Sequence, residues 1–196
     1  MDKTCCFFGH RTVNNRVDLQ EKVSQQVEEL IKNGFSIFLF GGFGEFDELC
    51  YSVVSQKQKI YSNIKRVYCV SDERHLNPRK RPKYLQEDCY EEFIYYAPSF
   101  DYWYKRIYYR NCEMIDRSDY IIFYAENRKD SGAYKTLKYA IRCKKNIQFY
   151  FRYNKNTPKR VFLLFGWEAK ASCVSVSMFC VTCALHIFAI VNTLLL

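Results

Sequence analysis

The stretch SIFLFGGFGEFD, Ser36 to Asp47, decides how the rest of the chain is read. An apolar run of strand length stops at Gly41, Gly42 and Gly44, and two acids, Glu45 and Asp47, follow. Short apolar runs bounded by glycine suit buried parallel strands, and glycine lets backbone N–H groups approach an anion. With a helix continuing from Glu45, the stretch predicts a strand, a tight turn and a helix N-terminus. First-turn amides have no intrahelical partner and the helix dipole favours negative charge, so the turn is an anion site in outline.

The same grammar repeats on both sides. Thr4 to Phe8 is a short apolar run that ends at Gly9, His10 and Arg11. Asp18 and Glu21 have capping-box spacing, and Leu19, Val23, Val27, Leu30 and Ile31 recur at helical intervals until Asn33-Gly34. Ile37 to Phe40 reads as the second strand, Glu45 to Gln58 as a helix, Lys65 to Val70 as the third strand and Tyr120 to Tyr124 as the fourth. A small-residue turn, Ser131-Gly132-Ala133-Tyr134, then opens a helix to about Lys144, and Ile147 to Phe151 is the fifth strand. Glu87 to Tyr96 is read as a helix, and the basic run Arg79-Lys80-Arg81-Pro82-Lys83 as a solvated loop. Strands alternating with helices imply crossover units. The expected fold is therefore α/β: a Rossmann-like, doubly wound, mostly parallel sheet with helices on both faces, plus an apolar C-terminal helical tail.

Composition bounds the partners. The 196 residues are 48% hydrophobic, enough for one core. The net charge of +9 suits a nucleotide, a nucleic acid or an anionic membrane surface without choosing among them. Tyrosine and phenylalanine number 17 and 16, and many lie among charged residues in the middle third, where they either fill a core or stack bases. The ten cysteines include an adjacent pair, Cys5 and Cys6, and several inside expected elements. With no signal peptide read at the start, they are expected to be reduced thiols of a cytoplasmic protein. The one C-x-x-C, Cys180 to Cys183, has no second pair nearby, so no metal is expected.

Residues 1–151 are expected to form the ligand-binding domain and 152–170 a basic linker with a short apolar segment. Residues 171–196 make an uncharged tail. As a helix that tail is long enough to cross ~30 Å of hydrocarbon, and it suits a membrane anchor or a helix packed on the sheet equally.

Four motifs occur in order: TCCFFGHR at Thr4–Arg11, GGFG at Gly41–Gly44 with Asp47, RNCEMID at Arg110–Asp116 with Ser118-Asp119, and SGAY at Ser131–Tyr134. Together they resemble the YpsA-like branch of the SLOG superfamily, over about residues 1–151. The resemblance implies a Rossmann-like domain that binds or senses a nucleotide or nucleotide-derived ligand, with no separate cofactor. Gly9, His10 and Arg11 would sit beside Gly41, Gly42 and Gly44, and Arg110, Asn111, Ser131 and Gly132 would complete the pocket. Arg11 and Arg110 would neutralise phosphate and the glycine amides would wrap it, while Asp47 would cap or orient the loop. Taken singly, His10 also suits a buried hydrogen-bonded imidazole and Arg110 an ion pair with Asp116 or Asp119.

Related LOG-type phosphoribohydrolases carry a glutamate after the motif that matches Ser131 to Tyr139. This chain has Leu137, Lys138 and Tyr139 there. A regulatory role is therefore expected over catalysis, with Glu45, Asp47 and Asp130 keeping N-glycosidic hydrolysis as an alternative. A second alternative, single-stranded DNA binding, follows from likeness to DprA-type proteins. A homo-oligomer is also compatible. Arg11→Ala and Gly42→Asp are expected to abolish ligand binding and leave the fold.

Overall fold

The structure is a computed structural model and describes residues 2–81, 89–96, 102–125 and 131–151. Its elements run β1 (Lys3–Gly9), α1 (Arg16–Lys32), β2 (Phe35–Phe40), α2 (Glu45–Gln58), β3 (Lys65–Val70), β4 (Glu92–Tyr95), α3 (Trp103–Asp116), β5 (Tyr120–Ala125), α4 (Gly132–Arg142) and β6 (Asn146–Phe151). Two short 3-10 turns, Glu73–Leu76 and Pro78–Lys80, follow β3. The strands form one six-stranded sheet in the order β4-β3-β2-β1-β5-β6, parallel at every pairing.

Alternation along β1 shows how the layers form. Cys5 and Phe7 point to one face, where they meet α1 through Val23 and Val27 and α2 through Phe46, Leu49 and Val53. Cys6 and Phe8 point to the other, against Met114 and Ile115 of α3 and Leu137 and Ala140 of α4. A strand buried on both faces reads as a continuous apolar run, the pattern seen in β1, β2 and β5. All seven described cysteines are free thiols, and burial pushes the Cys6 pKa up to about 12, so it packs as a small apolar residue.

Three expectations change. The segment expected as a helix from Glu87 to Tyr96 contains edge strand β4, whose Phe93 and Tyr95 pack beside Tyr68 and Val70. Cross-strand aromatic packing outweighs the helical preference of Glu91 and Glu92, and Glu91 is further held by Arg66 (Nη2···Oε1 2.5 Å); residues 87–88 lie outside the described residues. The capping box at Asp18 and Glu21 does not form. Asn15, in the left-handed conformation (φ 49°), turns the chain into α1 earlier, and Asp18 pairs with Lys22 at 2.8 Å. Helix α3 has no counterpart in the expected elements; its inner face is Arg110, Cys112, Met114 and Ile115. The linker and tail, 152–196, lie outside the described residues, among which no helix is long and apolar enough to cross a membrane.

Candidate functional site

The turn after β2 is held from within. Asp47, in the first turn of α2, accepts hydrogen bonds from the amides of Gly41 (Oδ1, 3.2 Å) and Gly42 (Oδ2, 2.9 Å). Gly42 has φ 71°, and a Cβ there would lie 2.3 Å from the Tyr68 ring. Gly44 has φ 94°, and a Cβ would lie 2.8 Å from Arg11 Cα. Only glycine satisfies both the torsion and the space. The Glu45 amide donates to the Arg11 carbonyl at 3.0 Å, and the Glu45 carboxylate accepts from the Val13 amide at 2.8 Å. Two of the glycine amides expected to wrap a phosphate, those of Gly41 and Gly42, are thus taken by Asp47, which orients the loop.

Arg110 is the other half of this frame. It is 2% exposed, and its Nη1 donates to the Gly41 carbonyl at 2.6 Å and to the Cys69 carbonyl at 3.0 Å. Its Nε donates to Asn111 Oδ1 at 3.1 Å, and the guanidinium lies 5.5 Å from the Phe43 ring centre. The alternative pairing with Asp116 or Asp119 is not made. Asp116 accepts from the Tyr139 hydroxyl at 2.7 Å and Asp119 from the Thr4 amide at 2.8 Å. Burial pushes the Asp47 carboxyl up to about 6, against the pull of the two glycine amides and Arg110. Burial also lowers the Arg110 pKa, opposed by Tyr68, Cys69 and Asp47; a guanidinium keeps its charge nonetheless.

Around this frame opens a cleft of about 1060 Å³. Gly9, His10 and Arg11 from the end of β1 line it, with Gly41 and Asp47 from the turn, Arg110 and Asn111 from α3, and Ser131 and Gly132 from the start of α4. Gly42 and Gly44 lie outside the lining and shape the turn behind it. The location follows from topology. Strand order reverses between β1 and β5, and ligands of open parallel sheets bind beyond the carboxyl ends of strands at such a point. His10 is half-buried, with its amide donating to the Tyr124 carbonyl at 3.1 Å and its ring edge-on to Tyr124.

Anion-binding groups converge there. Ser131 caps α4 by accepting the Tyr134 amide at 3.1 Å, and the Gly132 and Ala133 amides open the helix without an intrahelical acceptor. Arg11, Lys105, Lys135, Lys138 and Arg142 line the cleft, and none forms an ion pair among the described residues. Asp47, committed to the turn, is the one carboxylate in the lining among the described residues. Thr136, fully buried, donates to the Gly132 carbonyl at 2.9 Å and accepts from Asn111 Nδ2 at 3.3 Å, tying α3 to α4.

Sequence reasoning did not single out Thr136 or the cations of α4. The available signal was spacing: Lys135, Lys138 and Arg142 recur at one helical face. Of the carboxylates weighed for hydrolysis, Glu45 and Asp47 serve backbone amides, and Asp130 lies outside the described residues. Among the described residues no group of three or more His, Cys, Asp or Glu is placed to hold a metal.

No protein-family profile matches the chain and no curated protein matches it, so the family resemblance stands on the ordered motifs alone. Two solved structures of the molybdenum cofactor carrier protein from Chlamydomonas reinhardtii are similar, both with a TM-score of 0.46, at 14% and 13% identity. Each alignment covers 76% of this chain and 76% of the carrier's.

Proposed function

We propose that this domain binds a nucleotide or nucleotide-derived anion at the β1/β5 end of the sheet and acts as a sensor or regulatory module. The observation that supports the reading most is convergence. Arg11 and the first-turn amides of α4 face a cleft whose one lining carboxylate among the described residues, Asp47, already serves two backbone amides. Unpaired cations beside helix-terminal amides favour a phosphate, and the exposed Phe43 ring offers a face to a base. The anion therefore sits at Arg11 and α4, with the glycine turn as its wall.

The reading is regulatory because Glu45 and Asp47, two of the carboxylates weighed for glycosidic cleavage, are engaged by backbone amides. Thermal unfolding of the full chain against nucleoside mono- and diphosphates, ADP-ribose and single-stranded DNA tests it, with products checked by mass spectrometry. Stabilisation by an intact nucleotide supports the sensor. Release of a free base replaces it with a hydrolase, and a response to DNA alone replaces it with a nucleic-acid-binding role.

A further inference from the structure

The cleft continues past the strand ends, between two unlike helix faces. Lys135, Lys138 and Arg142 stand at i, i+3 and i+7 on α4, all exposed and all lining the cleft. At 1.5 Å per residue this stripe runs for ~10 Å. Opposite it, Tyr104, Tyr108 and Asn111 stand at i, i+4 and i+7 on α3 and line the same cleft, Tyr104 at 53% and Tyr108 at 40% exposure. The Asn111 to Thr136 hydrogen bond closes the floor where the helices meet the strand ends. Burial and the neighbouring Cys112 thiol raise the Tyr108 pKa, and the Arg142 charge opposes them.

A solvated helix face ordinarily mixes its charges. The sequence of α4, GAYKTLKYAIR, has no acid, and its stripe cations have no carboxylate partner among the described residues. Like charges at such spacing repel, so the face is at a disadvantage until an anion lies along it. Volume agrees: about 1060 Å³ stands at the upper end of the roughly 300–1000 Å³ that single small ligands fill. A mononucleotide at Arg11 leaves the stripe uncovered, and a pyrophosphate-linked cofactor keeps its two charges adjacent at its centre instead of spreading them along the stripe. A stacked strand presents one charge per ~3.4 Å of axis, so ~10 Å meets two or three phosphates, while tyrosine faces accept bases of any sequence.

We propose that the ligand is at least two phosphodiester-linked nucleotides long, with its terminal phosphate at Arg11 and the start of α4. Its following phosphate lies along Lys138 and Arg142 and its following base against Tyr104 and Tyr108. This rests on the nucleotide reading above. The test is equilibrium titration of the full chain with the four 5′-mononucleotides, the matching 5′-phosphorylated homodinucleotides and 5′-phosphorylated decamers, at fixed salt. A dinucleotide binds at least tenfold tighter than its mononucleotide, and Arg142→Ser and Tyr108→Ala, both at exposed positions, each remove most of that gain and leave mononucleotide affinity within twofold. A decamer as tight as the dinucleotide identifies a strand end as the source; a markedly weaker one identifies a free dinucleotide. Equal affinity for mono- and dinucleotide overturns the inference and spares the nucleotide site, and no binding of either overturns both.

Discussion

The Arg110 guanidinium donates to the Gly41 carbonyl at 2.6 Å from a position 2% exposed to solvent. A side chain that looks like a phosphate ligand in the sequence is thereby a strut between α3 and the glycine turn. Arg110→Ala removes the donors from the Gly41 and Cys69 carbonyls and the positive charge from beside Asp47. Leaving a buried acceptor without its donor costs about 1–3 kcal/mol, and two carbonyls lose theirs here, so urea unfolding should show a loss of at least that order. Arg110→Lys restores only part of it, because an ammonium lacks the planar fork.

Asp47 makes stability depend on pH in an unusual direction. Its folded-state pKa of about 6 lies above the ordinary carboxylate value of ~3.9. The folded protein therefore keeps a proton that the unfolded chain releases between about pH 4 and 6. The contribution is most favourable below about pH 4 and is lost as pH rises through about 6, at up to roughly 1.4 kcal/mol per pH unit. Asp47→Asn abolishes this slope and sets an amide N–H₂ against one glycine N–H. Unfolding free energies of the two proteins at pH 4, 5, 6 and 7 should differ by an amount that changes across pH 4 to 6 and is constant above.

Gly42→Ala places a methyl in the left-handed region and against the Tyr68 ring, 2.3 Å from the ideal Cβ position. Strain of this kind costs about 1–3 kcal/mol, read as a lower denaturant midpoint at unchanged slope. Gly42→Asp adds a larger side chain at the same point, so it disturbs the fold and cannot serve as a clean binding probe. That corrects the expectation drawn from sequence.

Much of the sheet was legible because strands buried on both faces are unbroken apolar runs, as in Cys5–Phe8 and Ile121–Phe123. The position of the cleft was legible too, since glycine, serine and arginine punctuate the ends of those runs and line it. The assignment of hydrogen bonds was not: Asp47 looks the same in sequence whether it faces a ligand or backbone amides, and Arg110 whether it faces a ligand or backbone carbonyls. Strand β4 was missed because an edge strand, half-exposed and carrying Glu92, lacks the apolar run. Helix α3 was missed because Trp103, Tyr104, Tyr108 and Tyr109 put aromatics on its exposed side and mask the helical period of Arg110, Met114 and Ile115.

The central claim, an anion site at Arg11 and the start of α4, is tested most directly by titrating wild type and Arg11→Ala with AMP and ADP-ribose. Arg11 is exposed and its side chain forms no ion pair among the described residues, so its loss should leave the unfolding midpoint unchanged. At one hundred times the dissociation constant a bound ligand adds ~2.7 kcal/mol to wild-type stability. Loss of one charge-assisted contact, ~1.5–3 kcal/mol, predicts about tenfold or greater weakening in the variant. Equal affinity of the two proteins, or no binding by wild type, would contradict the account.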